Sequence, residues 1–285
     1  MRFPWVPVLV GAILPLPAQG VPRQEAERIL DGPGSVQERV ARLVTHLHAV
    51  MPFVATDYRE RSVDQILARG SGNCADHARV LGTLLESRGI RTRWVQEINL
   101  QPPSESRAAA AAGKVRERGR QMSVFGRGHN DHRWLEVLDP GAGVWFPADS
   151  SIGVAGREAW VRQRLGFSSR TGAVADMIAP VFLEAREPGR GTVALSEDYL
   201  IEGFDRVHGG RLKGMPSWSR WTAGVRALEP LAAAAFRGEA DLHRHGRLLD
   251  ELAEAYASLA AEAGSGILPS PGRSPSPGAG SVQNR

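Results

Sequence analysis

The segment "RGSGNCADHARVLGTLLESRG", Arg69 to Gly89, holds Cys74, the single cysteine of a 285-residue chain. One thiol cannot form a disulfide within the chain, so Cys74 is either a small buried hydrophobe or a reactive thiol. Gly70, Ser71, Gly72 and Asn73 make a tight approach into a helix that Cys74 opens. A thiol at a helix N-terminus meets unpaired N–H groups and the positive end of the helix dipole, both of which favour the thiolate. The same turn can aim backbone N–H groups at an oxyanion. A cysteine nucleophile also needs an imidazole in hydrogen-bonding reach and a third group that orients the ring. His132 begins the segment "HRWLEVLD" and, by two-residue alternation, shares a strand face with Trp134 and Glu136. Asp149 ends "VWFPAD", and the connection Pro140-Gly141-Ala142-Gly143 makes the two segments a hairpin. The start of one hairpin strand lies opposite the end of the next, which brings His132 and Asp149 together as base and orienting carboxylate.

Other histidines compete or assist. His129 in "GHNDH" precedes the strand, and its register suits a base less well than that of His132. His77 falls one turn into the Cys74 helix, placed either to pack or to support the site. Trp134 and Trp145 read as hairpin core or pocket wall, since cross-strand aromatics are ordinary sheet stabilisers. Metal binding is not expected: the "HLH" at 46–48 and "HRH" at 243–245 put neighbouring histidines on different helix faces, and no Cys/His pair has ligand spacing. No cofactor is expected.

These groups need elements to position them. "GSVQERVARLVTHLHAVMPF" predicts a helix started by a Ser35–Glu38 capping box, with Val36, Val40, Leu43, Leu47 and Val50 on one face. "RSVDQILARG" repeats the device with Ser62 and Gln65 and stops at Gly70. From Cys74 the apolar positions Ala78, Leu81, Leu84 and Leu85 continue a helix toward a cap at Gly89. "IRTRWVQEINL" reads as a strand. Residues 101–128 lack a core pattern and read as a long surface insertion. "LEPLAAAAFRGEADLHRHGRLLDELAEAYASLAAEAG" predicts two helices joined near Gly238, and the Pro/Ser/Gly stretch 265–285 reads as a disordered tail.

At 42% apolar and 23% charged residues the chain has the make-up of a soluble globular protein. Its pI near 9.8 invites a nucleic-acid reading, but the formal net charge is only +4 and the basic residues form no cluster or stripe, so nucleic-acid binding is not expected. "MRFPWVPVLVGAILPLPAQG" has a basic start, an apolar middle and small residues at Ala18 and Gly20, the layout of a secretory signal over residues 1–20. Its four prolines and short length argue against a membrane span. The expected location is periplasmic or extracellular.

The run "GSGNCADHA" followed by a helix, then "HRWLEV" and "WFPAD", resembles the transglutaminase-like superfamily, and "SVDQILARGSGNC" is similar to that family's lead-in helix. The resemblance spans Arg61 to Gly153. It implies a papain-like α+β core, with a nucleophile helix packed on an antiparallel sheet. It also implies a triad of Cys74 as nucleophile, His132 as general base and acid, and Asp149 as orienting acid. Ser150 departs from the family pattern, which has proline there, and the 101–128 insertion is long. The expected organisation is a core over 21–155, a mostly helical region over 156–264 and the tail. The expected chemistry is acyl transfer at an amide of a peptide, protein or other substrate through a Cys74 thioester. Hydrolysis is favoured, with protein cross-linking or a non-catalytic binding module on the same fold as alternatives. Oligomeric state is not legible.

Overall fold

Capping boxes start three helices ahead of the sheet. The structure, a computed structural model, describes residues 23–54, 59–99, 131–165, 167, 180–187, 191–236, 239 and 242–264. The expected signal segment, the 101–128 insertion, His129 and the 265–285 tail lie outside the described residues. After α1 (Arg23–Asp31), Ser35 caps α2 (Val36–Val50) and Ser62 caps α3 (Val63–Arg69). In each the serine side chain accepts from the amide three residues on, and Glu38 or Gln65 reaches back to the serine amide. α4 (Cys74–Glu86) has the same reciprocal pair in Asn73 and Asp76. Each such cap contributes about 1 kcal/mol and, more usefully here, sets where the helix begins.

The sheet is antiparallel with six strands in the order β4-β3-β2-β1-β5-β6. They are β1 (Thr92–Asn99), β2 (Asp131–Asp139), β3 (Val144–Asp149), β4 (Val154–Ala155), β5 (Pro180–Glu187) and β6 (Gly191–Ala194). The β2–β3 hairpin pairs Asp139 with Val144, and the Asp139 carboxylate accepts from the Gly141 amide at 2.9 Å to fix the turn. Alternation along the strands separates two cores. Leu135, Val137, Phe146 and Ala148 join Leu30, Val40, Leu43, Leu47, Leu81 and Leu85 from α1, α2 and α4. Val95, Trp134, Leu183 and Ala185 face the other way, against α5 (Arg157–Leu165), α7 (Trp218–Phe236) and α8 (Gly246–Gly264). Between α5 and α7 a π-helical turn (Glu197–Gly203) runs into the short α6 (Phe204–Val207). A helical layer therefore covers each face, and the α+β class expected from the resemblance is the one found.

Two features differ from the expectation. β5 and β6 extend the same sheet past the boundary at 155. Their signal was masked because Phe182, Leu183 and Ala185 are all buried, so no clean polar/apolar alternation exists. The first C-terminal helix begins at Trp218 and continues through Pro230. Trp221, Val225, Leu228 and Ala232 form its buried stripe, and that packing holds the helix across a residue that removes a backbone donor.

Candidate active site

The turn before Cys74 is built from backbone requirements. α3 ends at Gly70, whose φ of +63° lies in the left-handed region open to glycine. Gly72 then bridges to the segment ahead of it. Its amide donates to the Pro52 carbonyl at 3.2 Å, and its carbonyl accepts from the Val54 amide at 2.9 Å. A Cβ at position 72 would stand 2.7 Å from Asp76 Cβ, so a side chain there would disturb the cap of α4. Asn73 Oδ1 accepts from the amides of Ala75 (2.9 Å) and Asp76 (3.1 Å), and the Asp76 carboxylate accepts from the Asn73 amide at 3.3 Å. The Asn73 carbonyl takes the His77 amide at 2.9 Å. Among the described residues no acceptor caps the Cys74 amide, which leaves it as the first-turn donor available to an oxyanion. Phe53, half exposed, stands beside this turn.

The hairpin supplies the other two groups. Leu135 pairs with Ala148, so Asp149 falls opposite Trp134, one diagonal step from His132 on the same face, a separation long side chains span. His132 Nε2 and Asp149 Oδ2 are 2.5 Å apart, and both side chains are buried. With Nε2 committed to Asp149, Nδ1 is the nitrogen left for Cys74, whose side chain hydrogen-bonds the His132 ring. Cys74 itself is half-buried. Asp149 is held from behind: its Oδ1 accepts from the Ser151 amide at 3.1 Å and the Ser151 hydroxyl at 2.7 Å. Trp134 stacks on His132 with ring centroids 5.5 Å apart.

Electrostatics follow from that packing. Burial alone disfavours an imidazolium at His132, but Asp149 and Cys74 outweigh it and hold its pKa up to about 10. A unit charge about 4 Å away contributes roughly 4 kcal/mol at an effective dielectric near 20, which is the scale needed to reverse a desolvation penalty. Burial likewise pushes the Asp149 carboxyl up, and His132 with Ser151 carries it below the ordinary carboxylate range. His77 has the opposite fate. Burial takes it from 6.5 down to about 4 against the pull of Asp149, and its Nδ1 lies 3.2 Å from Ser150 Oγ. The expected supporting residues thus divide: Gly72 and Asn73 build the helix start, His77 and Trp134 back the hairpin ends, and His129 is outside the described residues.

The model of the transglutaminase-like superfamily matches residues 23–150, from α1 to the residue after Asp149. Over those residues the chain is similar to the core of that superfamily. A cysteine-protease candidate from Cytophaga hutchinsonii aligns at 13% identity and TM-score 0.33, over 46% of this chain and 37% of its own. Rad4–Rad23 bound to a 6-4 photoproduct UV lesion aligns at 11% identity and TM-score 0.38, over 86% and 52%. Rad4–Rad23 crosslinked to an undamaged DNA aligns at 10% identity and TM-score 0.36, over 87% and 53%. This chain spans about a third to about half of the length of those structures, and likenesses so remote carry no argument about activity. No curated protein sequence matches the chain.

In this core the departure at Ser150 has a structural role. Its hydroxyl meets His77 and its carbonyl lies 3.2 Å from His48 Nδ1, tying the end of β3 to α2 and α4. Sequence reasoning missed this bond and the Ser151 clamp on Asp149. The signal for the clamp was present, because serine two residues after aspartate is an ordinary side-chain-to-backbone turn. Two buried charges were also missed: Glu97, opposite His132 on β1, and Arg164 on α5, which pairs with it. Glu136 is a buried ion-pair partner of Arg93, with Nε to Oε2 at 2.7 Å, and accepts from the Tyr199 hydroxyl. It serves the core opposite α4 and does not reach the reacting groups.

Proposed function

We propose that this chain is a cysteine enzyme of acyl transfer in which Cys74 is the nucleophile, His132 the general base and acid, and Asp149 the carboxylate that orients the ring. The observation that carries the proposal is the contact from Cys74 through the His132 ring to Asp149, at a helix start where the Cys74 amide has no acceptor among the described residues. In the first half-reaction the thiolate attacks an amide carbonyl carbon and the carbonyl electron pair moves to oxygen, where the Cys74 amide receives it. Collapse breaks the C–N bond, the amine leaves with the proton from His132, and an acyl thioester remains. In the second half-reaction His132 removes a proton from water, which attacks the thioester and releases the acid and the thiol. Hydrolysis is the favoured outcome; an amine in place of water gives cross-linking from the same intermediate. We further propose export, on the strength of Arg2 and the apolar run that follows it. The peptide or amide substrate is approached from the half-exposed side of Cys74, beside Phe53.

The test uses 4-nitrophenyl acetate as acyl donor and intact-protein mass spectrometry. The proposal expects a single acetyl adduct on the wild-type protein and none on Cys74→Ala. Decay of the adduct in buffer alone at a rate unaffected by added cadaverine supports hydrolysis; decay accelerated by cadaverine supports cross-linking. No adduct, with Cys74→Ala indistinguishable from wild type, leaves the binding-module alternative.

A further inference from the structure

β1 places Glu97 directly across from His132 on β2, and both side chains are buried. The guanidinium of Arg164, from α5, meets the Glu97 carboxylate in an ion pair with no solvent exposure on either side chain. α5 lies beyond the matched segment 23–150, so this cation reaches the site from outside the core that carries the other groups. Its place is set by a stack of rings. The guanidinium carbon lies 5.5 Å from the Trp160 ring centroid, Trp160 stacks on Trp134 at 4.6 Å, and Trp134 stacks on His132 at 5.5 Å. The charge of Arg164 is within electrostatic range of Cys74. Stability is a weak explanation for such a pair. Desolvating each ion costs several kcal/mol, and well-packed apolar residues often serve a fold equally well.

We propose that Arg164, locked by Glu97, is a positioning residue for the nucleophile: a fixed cation that stabilises negative charge on the Cys74 sulfur and on the oxyanion formed beside it. This rests on Cys74 being the nucleophile. Glu97 keeps the guanidinium from swinging away, and the ring stack couples its position to His132. The titratable groups around this centre are His132 on β2, Asp149 on β3, Glu97 on β1, His48 on α2, and Asp76 and His77 on α4 itself. Asp76 is already partnered by Arg61 at 3.7 Å. Arg164 is therefore the cation whose removal changes the field at the sulfur without touching the His132–Asp149 bond.

Because Cys74 is the single cysteine, alkylation by iodoacetamide reads one site. Arg164→Met alone leaves Glu97 charged and buried and is expected to fold poorly, so the measured variant is the double change Glu97→Gln/Arg164→Met, with Arg164→Lys as the charge-retaining control. The double variant removes the cation together with its counter-charge, so the loss is smaller than that of one close opposite charge: it should alkylate about threefold more slowly than wild type near pH 6. The gap should close as the pH rises and free thiolate dominates, and Arg164→Lys should stay near the wild-type rate. A folded double variant that alkylates at the wild-type rate, or is slowed equally at every pH, overturns the role of Arg164 and leaves that of Cys74 standing. Wild-type protein that alkylates no faster than free cysteine overturns both.

Discussion

Replacing His77 by glutamine should remove an acid-labile part of the folding free energy. His77 is 1% exposed, and burial takes its pKa from 6.5 down to about 4. The folded chain keeps this ring neutral over a range in which the unfolded chain protonates it. A group depressed in the folded state loses stability as pH falls, here from about 6.5 to about 4. One proton contributes at most about 1.4 kcal/mol per pH unit, so the whole window amounts to about 3 kcal/mol. Against a typical domain stability of about 5–15 kcal/mol that is a large fraction. The neighbours do not confuse the measurement. His132 is raised, so its contribution is fully present below 6.5 and constant there, and Asp149 is lowered, so its loss begins only near and below its ordinary 3.8. Glutamine keeps a polar group toward Ser150 Oγ. Urea unfolding followed by tryptophan fluorescence, at several values between about pH 7 and pH 4.5, should show wild type losing stability across the window and His77→Gln losing clearly less, the remainder coming from His208, which burial also holds below its ordinary pKa. Parallel plots of stability against pH for the two proteins would refute the reasoning.

Three further outcomes are expected. His132, raised to about 10, stabilises the fold below 6.5 and loses that contribution as pH climbs from 6.5 toward 10. Asp149→Asn should lower stability near pH 6.5 and abolish most of that alkaline loss, as read from thermal unfolding at several pH values. Gly72→Ala forces a Cβ to within 2.7 Å of Asp76 Cβ; denaturant melts should show a loss of about 1–3 kcal/mol, and alkylation of Cys74 should slow because the cap of α4 shifts. Ser151→Ala removes the 2.7 Å bond to Asp149 Oδ1; it should cost about 1–2 kcal/mol and slow Cys74 alkylation while circular dichroism stays unchanged.

What was legible in the sequence was local chemistry. The Ser35–Glu38 and Ser62–Gln65 boxes, the stop at Gly70 and the Pro140–Gly143 turn each depend on neighbours a few residues apart, and each appears in the structure where the spacing put it. Strand parity also placed Asp149 beside His132, because hairpin register follows from the turn. Contacts across long separations were not legible. Nothing near Glu97 announces Arg164, since an ion pair buried between a strand and a later helix leaves no periodic mark. β5 was hidden for a related reason: a strand covered on both faces carries no polar/apolar alternation. The helix that contains Pro230 was legible from Leu228 onward but its start at Trp218 was not, and the buried stripe from Trp221 to Ala232 holds it across the proline.

The account's central claim is that His132 activates Cys74, and the rate of Cys74 alkylation by iodoacetamide near pH 6, in wild type and His132→Ala, tests it most directly. Wild type should react at least about tenfold faster than free cysteine, whose thiol is largely protonated at that pH, and His132→Ala should react several-fold more slowly than wild type while remaining folded. A wild-type rate equal to that of free cysteine, or a His132→Ala protein as fast as wild type, would contradict it.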